Sequence, residues 1–239
     1  MDPQEELKLE QLKLEQLKQA AAEVAVGLVE NGMVVGLGTG STAKWAVEAL
    51  GKRVKEGLQV VGVPTSEFTA HQARGVGIAV SSLAEHIEVD ITIDGADEIQ
   101  RGTLNLIKGH GGALLREKVV ASASRRLVII ADDTKLVDQL GSRFAVPVEV
   151  VQFGWQSAER KLQRLGANTQ LRLGPDEKPF VTDGGNFILD CTFTPIADPA
   201  ALDRELNSVV GVVEHGLFLK MASRAVVAGP AGVQVLLPR

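Results

Sequence analysis

A chain of 239 residues, 45% hydrophobic and 23% charged, has the composition of a globular protein with room for one large domain or two. Its formal net charge of −5 excludes a general nucleic-acid binder, which carries a basic excess, and the lack of tyrosine leaves little surface for stacking bases. The single cysteine, Cys191, excludes an intrachain disulfide and a cysteine-based zinc site. No apolar run approaches the ~20 residues that span a bilayer. The N-terminus is charged and lacks the apolar core of a signal peptide. A cytoplasmic protein without membrane contact is the expectation.

Residues 4–30, rich in Leu, Glu, Lys, Gln and Ala, predict a helix. Within it LKLEQ occurs twice in tandem (7–11 and 12–16), a five-residue period that matches neither a heptad nor an ideal amphipathic stripe. The expectation is a partly solvated extension that becomes a packed helix from about Leu17. Asn31 and Gly32 end it, and 33–37 (MVVGL) reads as a buried strand. GLGTGSTA at 36–43 then leads into a helix over 44–50. A strand, a Gly/Ser/Thr turn and a helix N-terminus form an anion cradle, because glycines admit a ligand to the backbone N–H groups and the helix dipole favours negative charge. The run is neither a dinucleotide fingerprint nor a Walker A loop, which would close on GK[ST]. A tight turn needing glycine for geometry alone is the alternative, and a phosphate on a small molecule is the better reading.

Strands follow over 58–63 and 78–80, with a helix over 67–74 capped by Pro64, Thr65 and Ser66 and a helical turn at 83–87. The next strand, 87–93, feeds the richest stretch of the chain, DGADEIQRGTLNLIKGHGGALLREK at 94–118, which closes in a helix over 113–122. A strand over 127–131 precedes Asp132, Asp133, Thr134 and Lys135, read as the cap of a further helix. Strands alternating with helices at this spacing predict βαβ units and a parallel sheet. The pattern changes near 144. Strand 146–151, helix 155–165, strands 168–173 and 187–191, helix 199–207 and strand 211–218 predict a small α+β domain of the split βαβ kind. Segments 224–229 and 233–237 predict a terminal hairpin that returns to the first sheet. The expected division is 1–143 with 221–239, and 144–220.

The chemistry concentrates in 94–118. Asp94 and Asp97 are three residues apart at a strand end, and Lys108 opens a glycine-rich turn nine residues before Glu117. Paired aspartates of this kind bind magnesium or sugar hydroxyls. A carboxylate base beside a lysine and backbone N–H groups suits proton abstraction next to a carbonyl, with the cationic donors stabilising an enediolate oxygen. The four histidines, His71, His86, His110 and His215, show no metal-binding spacing.

Taken together, GLGTGST at 36–42, DGADEI at 94–99, KGHGGALLREK at 108–118, ADDTK at 131–135, VTDGGNFILD at 181–190 and GVVEHGLF at 211–218 resemble the signature blocks of the A-type ribose-5-phosphate isomerases. The resemblance runs from about Leu17 onward. It implies interconversion of D-ribose 5-phosphate and D-ribulose 5-phosphate in the pentose phosphate pathway, with no metal or organic cofactor and a sugar phosphate as the small-molecule partner. By position it makes Glu117 the general base, Asp94 the acid that helps open the furanose ring, Lys108 the group that stabilises the cis-enediolate and Asp97 a carboxylate on the substrate hydroxyls. Thr39, Gly40, Ser41 and Thr42, then Gly95, Ala96, Gly109, His110, Gly111 and Lys135, match substrate and phosphate contacts, and Lys18 is a further candidate for the phosphate. The implied fold is a Rossmann-like, mostly parallel α/β sheet with helices on both faces plus a smaller ferredoxin-like α+β domain, assembled as a homodimer or dimer of dimers. The family's turn after the lysine often reads GGG, and His110 replaces its middle glycine, which predicts a strained histidine backbone. Two other classes share this kind of sheet. A sugar-phosphate sensor would need neither Lys108 nor Glu117, and a coenzyme A transferase would form a thioester on the glutamate.

Overall fold

The computed structural model describes residues 3–193 and 195–239. In chain order the helices are α1 (Pro3–Val26), α2 (Ala43–Lys55), α3 (Glu67–Gly75), α4 (Leu114–Ser122), α5 (Trp155–Arg164) and α6 (Pro199–Asn207). The strands are β1 (Val34–Leu37), β2 (Val61–Pro64), β3 (Ala79–Val80), β4 (Ile91–Asp94), β5 (Glu98–Gln100), β6 (Leu106–Ile107), β7 (Leu127–Asp132), β8 (Leu136–Val137), β9 (Val146–Val150), β10 (Asn168–Leu171), β11 (Phe187–Thr192), β12 (Val212–His215), β13 (Leu217–Phe218), β14 (Ala222–Gly229) and β15 (Gly232–Leu236). They form two compact units: 1–95 with 120–135 and 222–238, and 96–119 with 136–221 and residue 239. The division expected from composition kept 96–119 in the first unit; here that segment belongs to the second.

The first unit is a seven-stranded sheet in the order β15-β14-β7-β4-β1-β2-β3. All pairings are parallel except the β14–β15 hairpin. From β3 to β14 this is the 3-2-1-4-5-6 order of a doubly wound Rossmann-type sheet. Its interior strands read as unbroken apolar runs because both faces are covered, and β7 is buried along its whole length. Val35, Leu37, Ile91, Ile93, Val128, Ile130 and Val226 form one core with Ala21, Ala22, Ala25 and Val26 of α1. The first half of α1 carries exposed Leu7, Leu9 and Leu12, so the tandem repeat is a solvated extension of a packed helix. Ser66 caps α3 by accepting from the Thr69 N–H at 3.0 Å.

The second unit contains two sheets. One, in the order β10-β11-β9-β12, is antiparallel throughout. With α5 between β9 and β10 and α6 between β11 and β12 it is a split βαβ, ferredoxin-like arrangement. Asp198 caps α6 by accepting from the Ala200 and Ala201 N–H groups at 3.1 and 3.0 Å. The other, β13-β6-β5-β8, is small and was not legible in the sequence. Two expectations change with it. Residues 132–135 cap no helix: Asp133–Lys135 is a single 3-10 turn, after which Leu136 and Val137 pair with Ile99 and Gln100 as β8, so sheet pairing overrides the capping pattern. The strand expected over 211–218 is two strands broken at Gly216. A Cβ there would lie 2.2 Å from the Lys108 carbonyl oxygen, so only glycine lets the chain turn at that point.

Candidate active site

In the first unit the candidate residues of the glycine loop and Asp94 lie where the strand order reverses, at the C-terminal ends of β1 and β4, the position at which open α/β sheets hold ligands. The Gly38 N–H donates to the Ile93 carbonyl at 3.0 Å. Asp94 is 1% exposed and its Oδ1 accepts from the Thr39 and Gly95 N–H groups at 3.2 and 2.7 Å. A Cβ on Gly38 would lie 2.1 Å from Asp94 Oδ1, so glycine at 38 is what lets the carboxylate lie against the loop. Gly40 turns the loop at φ +119°, a backbone that glycine alone adopts without strain. Thr42 and Gly95 come within van der Waals reach of each other. Thr39 Oγ1 lies 2.7 to 3.0 Å from the hydroxyl oxygens of Thr65, Ser66 and Thr69, and Thr69 returns a hydrogen bond to the Gly38 carbonyl. The Thr39 side chain thus braces the loop from behind.

Ser41 is exposed and accepts from Lys18 Nζ at 3.2 Å. Lys18 and Lys44 each reach Glu15 at 2.8 Å, and Trp45 Nε1 donates to Glu15 Oε2 at 2.9 Å. Partial burial would raise the Glu15 carboxyl, but the hydrogen bonds from Lys18, Lys44 and Trp45 outweigh it and hold the group at about 2. Glu15 therefore fixes two lysines beside the glycine loop, a role that nothing in the LKLEQ repeat announces. Lys135 is half-buried in the turn directly after β7, and β7 is the neighbour of β4.

The second unit holds the rest. DGAD is divided, Asp94 and Gly95 belonging to the first unit and Ala96 and Asp97 to the second. The Asp97 N–H donates to the Ile107 carbonyl at 2.9 Å. Between Asp97 and Lys108 the chain forms the β5–β6 hairpin. Buried Glu98 anchors it by accepting from the N–H groups of Gly141, Arg143 and Phe144 at 2.7, 2.6 and 2.9 Å. Lys108 follows β6. The next turn takes its positive φ angles at Gly109 (+110°) and Gly112 (+81°). His110 is absent from the residues with positive φ, so the strain expected there does not arise. Its N–H donates to Asp97 Oδ2 at 3.1 Å, and its exposed ring lies edge-on to Phe144 at 5.0 Å. Arg172 chelates Asp190 and donates through Nη1 to the carbonyls of Gly109 and His110 at 2.9 and 3.1 Å.

Glu117 lies in the first turn of α4, where the helix dipole favours a carboxylate. Its Oε2 is 3.3 Å from Lys108 Nζ, and both side chains are 2% exposed. A buried lysine and a buried glutamate in contact, with water excluded, form an acid–base pair whose electrostatics act at low dielectric. Among the described residues no group of three or more His, Cys, Asp or Glu is arranged to hold a metal ion.

Residues 61–232 match the sequence model of a family described as ribose 5-phosphate isomerase A, or phosphoriboisomerase A. The chain belongs to the ribose 5-phosphate isomerase A family. It is 60% identical to ribose-5-phosphate isomerase A of Gloeobacter violaceus over 91% of this chain and 94% of that one. It is 54% identical to the Gluconobacter oxydans protein of the same name over 90% and 93%. Among solved structures, ribose 5-phosphate isomerase A from Methanocaldococcus jannaschii matches with a TM-score of 0.90 at 41% identity, over 93% of this chain and 99% of that one. A D-ribose-5-phosphate isomerase in complex with phospho-erythronic acid matches with a TM-score of 0.91 at 38% identity, over 94% and 99%.

As a member of the ribose 5-phosphate isomerase A family the chain is an enzyme of the isomerase class. Several residues around the Lys108–Glu117 pair carry no local signature. Arg172, Asp190, Glu214 and Phe218 lie at least 55 residues beyond Glu117 in the chain, and only folding places them. Position within the blocks VTDGGNFILD and GVVEHGLF was the sole signal available for the last three.

Proposed function

We propose that this chain interconverts D-ribose 5-phosphate and D-ribulose 5-phosphate by proton transfer through a cis-enediolate, without a metal, as a cytoplasmic step of the non-oxidative pentose phosphate pathway. The observation that carries the reading is the buried Lys108–Glu117 contact of 3.3 Å in a chain of this family. Asp94 assists opening of the furanose: its carboxylic acid gives a proton to the ring oxygen as the bond from C1 to that oxygen breaks, and the carboxylate so formed takes the proton of the anomeric hydroxyl as the C1 carbonyl forms. Glu117 then removes the proton from C2 of the open aldose. The electron pair moves onto the carbonyl oxygen at C1, and the Lys108 ammonium stabilises the charge that develops there. A proton passes from the C2 hydroxyl to the C1 oxygen, and Glu117 returns its own proton to C1, which completes the ketose. Asp97 holds substrate hydroxyls.

Gly40, Ser41 and Thr42, with the N-terminus of α2 and with Thr39 bracing the loop, supply N–H and hydroxyl donors for the anionic end of the sugar phosphate, and Lys18 and Lys135 supply positive charge. Gly95 and Ala96 leave room for the substrate, Gly109 and Gly111 present backbone N–H groups to it, and the His110 N–H orients Asp97. The solved relative bound to phospho-erythronic acid supports this, because a phosphorylated aldonic acid offers a planar carboxylate where the substrate develops an enediolate. The active form is a homodimer or dimer of dimers.

Proton NMR of ribose 5-phosphate incubated with the chain in deuterated water tests the reading. Formation of ribulose 5-phosphate with deuterium entering at the transferred position is expected. Turnover with no exchange would remove the solvent-accessible enediolate, and recovery of an EDTA-treated chain only on adding a divalent metal would remove the metal-free route.

A further inference from the structure

The block GVVEHGLF has no role in the steps above, yet its last five residues touch Lys108 and Lys118, the neighbour of Glu117. The Gly216 carbonyl accepts from the Lys108 N–H at 2.9 Å, which sets the backbone from which the lysine projects. The ring of Phe218, 0% exposed, has its centroid 5.4 Å from Lys108 Nζ. The same ring is 5.0 Å from Nζ of Lys118, the neighbour of Glu117 on α4. Lys118 in turn donates to Glu214 Oε1 and to the His215 carbonyl, each at 2.6 Å. Segment 214–218 therefore holds the lysine by its backbone, faces its ammonium with an aromatic ring, and ties down the helix that carries the base.

We infer that Phe218 is a positioning residue for isomerisation, and that segment 214–218 is the clamp that keeps Lys108 and Glu117 in register. This rests on the reading given under Proposed function. A buried ammonium has lost its water. Of the groups around it, the Glu117 carboxylate moves a proton during the reaction and so cannot serve as a constant counter-charge. The π face of Phe218 does not titrate, and it favours the cation throughout the cycle. Lys118 is the second cation on that ring, and its charge is balanced by Glu214. Aliphatic packing of the same volume would fill the space and leave this electrostatic work undone. The lysine would then favour its charged form less strongly during the half of the cycle in which Glu117 is protonated.

Graded fluorination separates that role from packing, since it weakens the ring quadrupole while nearly preserving ring shape. Phe218 is replaced in the full chain by 4-fluoro- and then 3,4,5-trifluorophenylalanine, and ribose 5-phosphate turnover is followed across pH. The expected result is a stepwise fall in kcat of about three- to tenfold in all, with KM held within about twofold. The alkaline limb of the kcat profile moves to lower pH as the ring favours the ammonium less, and the thermal midpoint stays in place. A kcat that ignores fluorination, or that falls only together with the thermal midpoint, overturns the inference. If the unmodified chain does not isomerise ribose 5-phosphate, the reading beneath it has failed and the inference goes with it, an outcome visible before any substitution is made.

Discussion

The two units assemble their halves of the chemistry by opposite means. In the first, the glycine loop and the setting of Asp94 are local products of two strand ends. Glycine at 38 admits the carboxylate, backbone N–H groups of Thr39 and Gly95 satisfy it, and a cluster of hydroxyls stiffens the turn. In the second, the Lys108–Glu117 pair is held by distant side chains: Arg172 on the turn carbonyls, Glu214 on Lys118, and Glu98 under the hairpin. A phosphate cradle can be made from backbone donors because the ligand brings the charge. A proton-transfer pair needs its charges fixed and dry, and that takes neighbours from elsewhere in the chain.

The sharpest test of the contrast is Glu117→Gln, which keeps the shape of the side chain and removes the base. We expect kcat to fall by about 10³-fold with substrate binding kept, read by steady-state turnover and calorimetric titration; a variant retaining more than a tenth of the activity would take Glu117 out of the base role. Next comes Glu98→Ala, which leaves the partly buried N–H groups of Gly141, Arg143 and Phe144 in the second unit without their acceptor. It should cost about 3 kcal/mol in urea unfolding, and an unchanged midpoint would show that water replaces the carboxylate. In the first unit, Gly38→Ala drives a methyl into the Asp94 carboxylate, 2.1 Å away. The loop has to shift, and turnover should drop by about 10²-fold; full activity would mean that the cradle tolerates displacement.

Acid should divide the units more gently. Burial, with help from the Lys118 charge, pushes His215 in the second unit from 6.5 down to about 3. The unfolded chain therefore takes up a proton below pH 6.5 that the folded chain refuses until about pH 3. Its stabilising contribution is complete above 6.5 and is lost as pH falls, by about 1 kcal/mol per unit. Glu15, in the first unit, is depressed from 4.5 to about 2, so its contribution persists above 4.5 and is lost between there and 2. Hydrogen exchange from pH 7 to 4 should show the second unit loosening first. The reverse order would mean that His215 gains a counter-charge on protonation, for which Asp203 at 3.5 Å is placed.

The same contrast explains what could be read before folding. The mostly parallel sheet follows from apolar runs that alternate with amphipathic ones, and the terminal hairpin follows from GPAG between two apolar segments. Asp94, Asp97, Lys108 and Glu117 stand out because their spacing is local. The β5–β6 hairpin did not, since β6 is two residues long and is stabilised by pairing with β13 more than a hundred residues away. His110 was expected to strain the turn, because sequence does not reveal which of several glycines takes the positive φ. Gly109 and Gly112 do, and the histidine escapes.

By itself, then, the sequence determined the alternation of strand and helix, the glycine loop and the clustering of Asp94, Asp97, Lys108 and Glu117 in one stretch. These depend on residue type and near-neighbour spacing, which the chain carries in every conformation. Tertiary structure alone decided that Lys108 and Glu117 would touch in a dry interior, that Arg172 would hold the turn and that Phe218 would face the ammonium. Such contacts join residues from nine to more than a hundred positions apart, and burial, hydrogen bonding and ring geometry acquire values only once packing has brought them together.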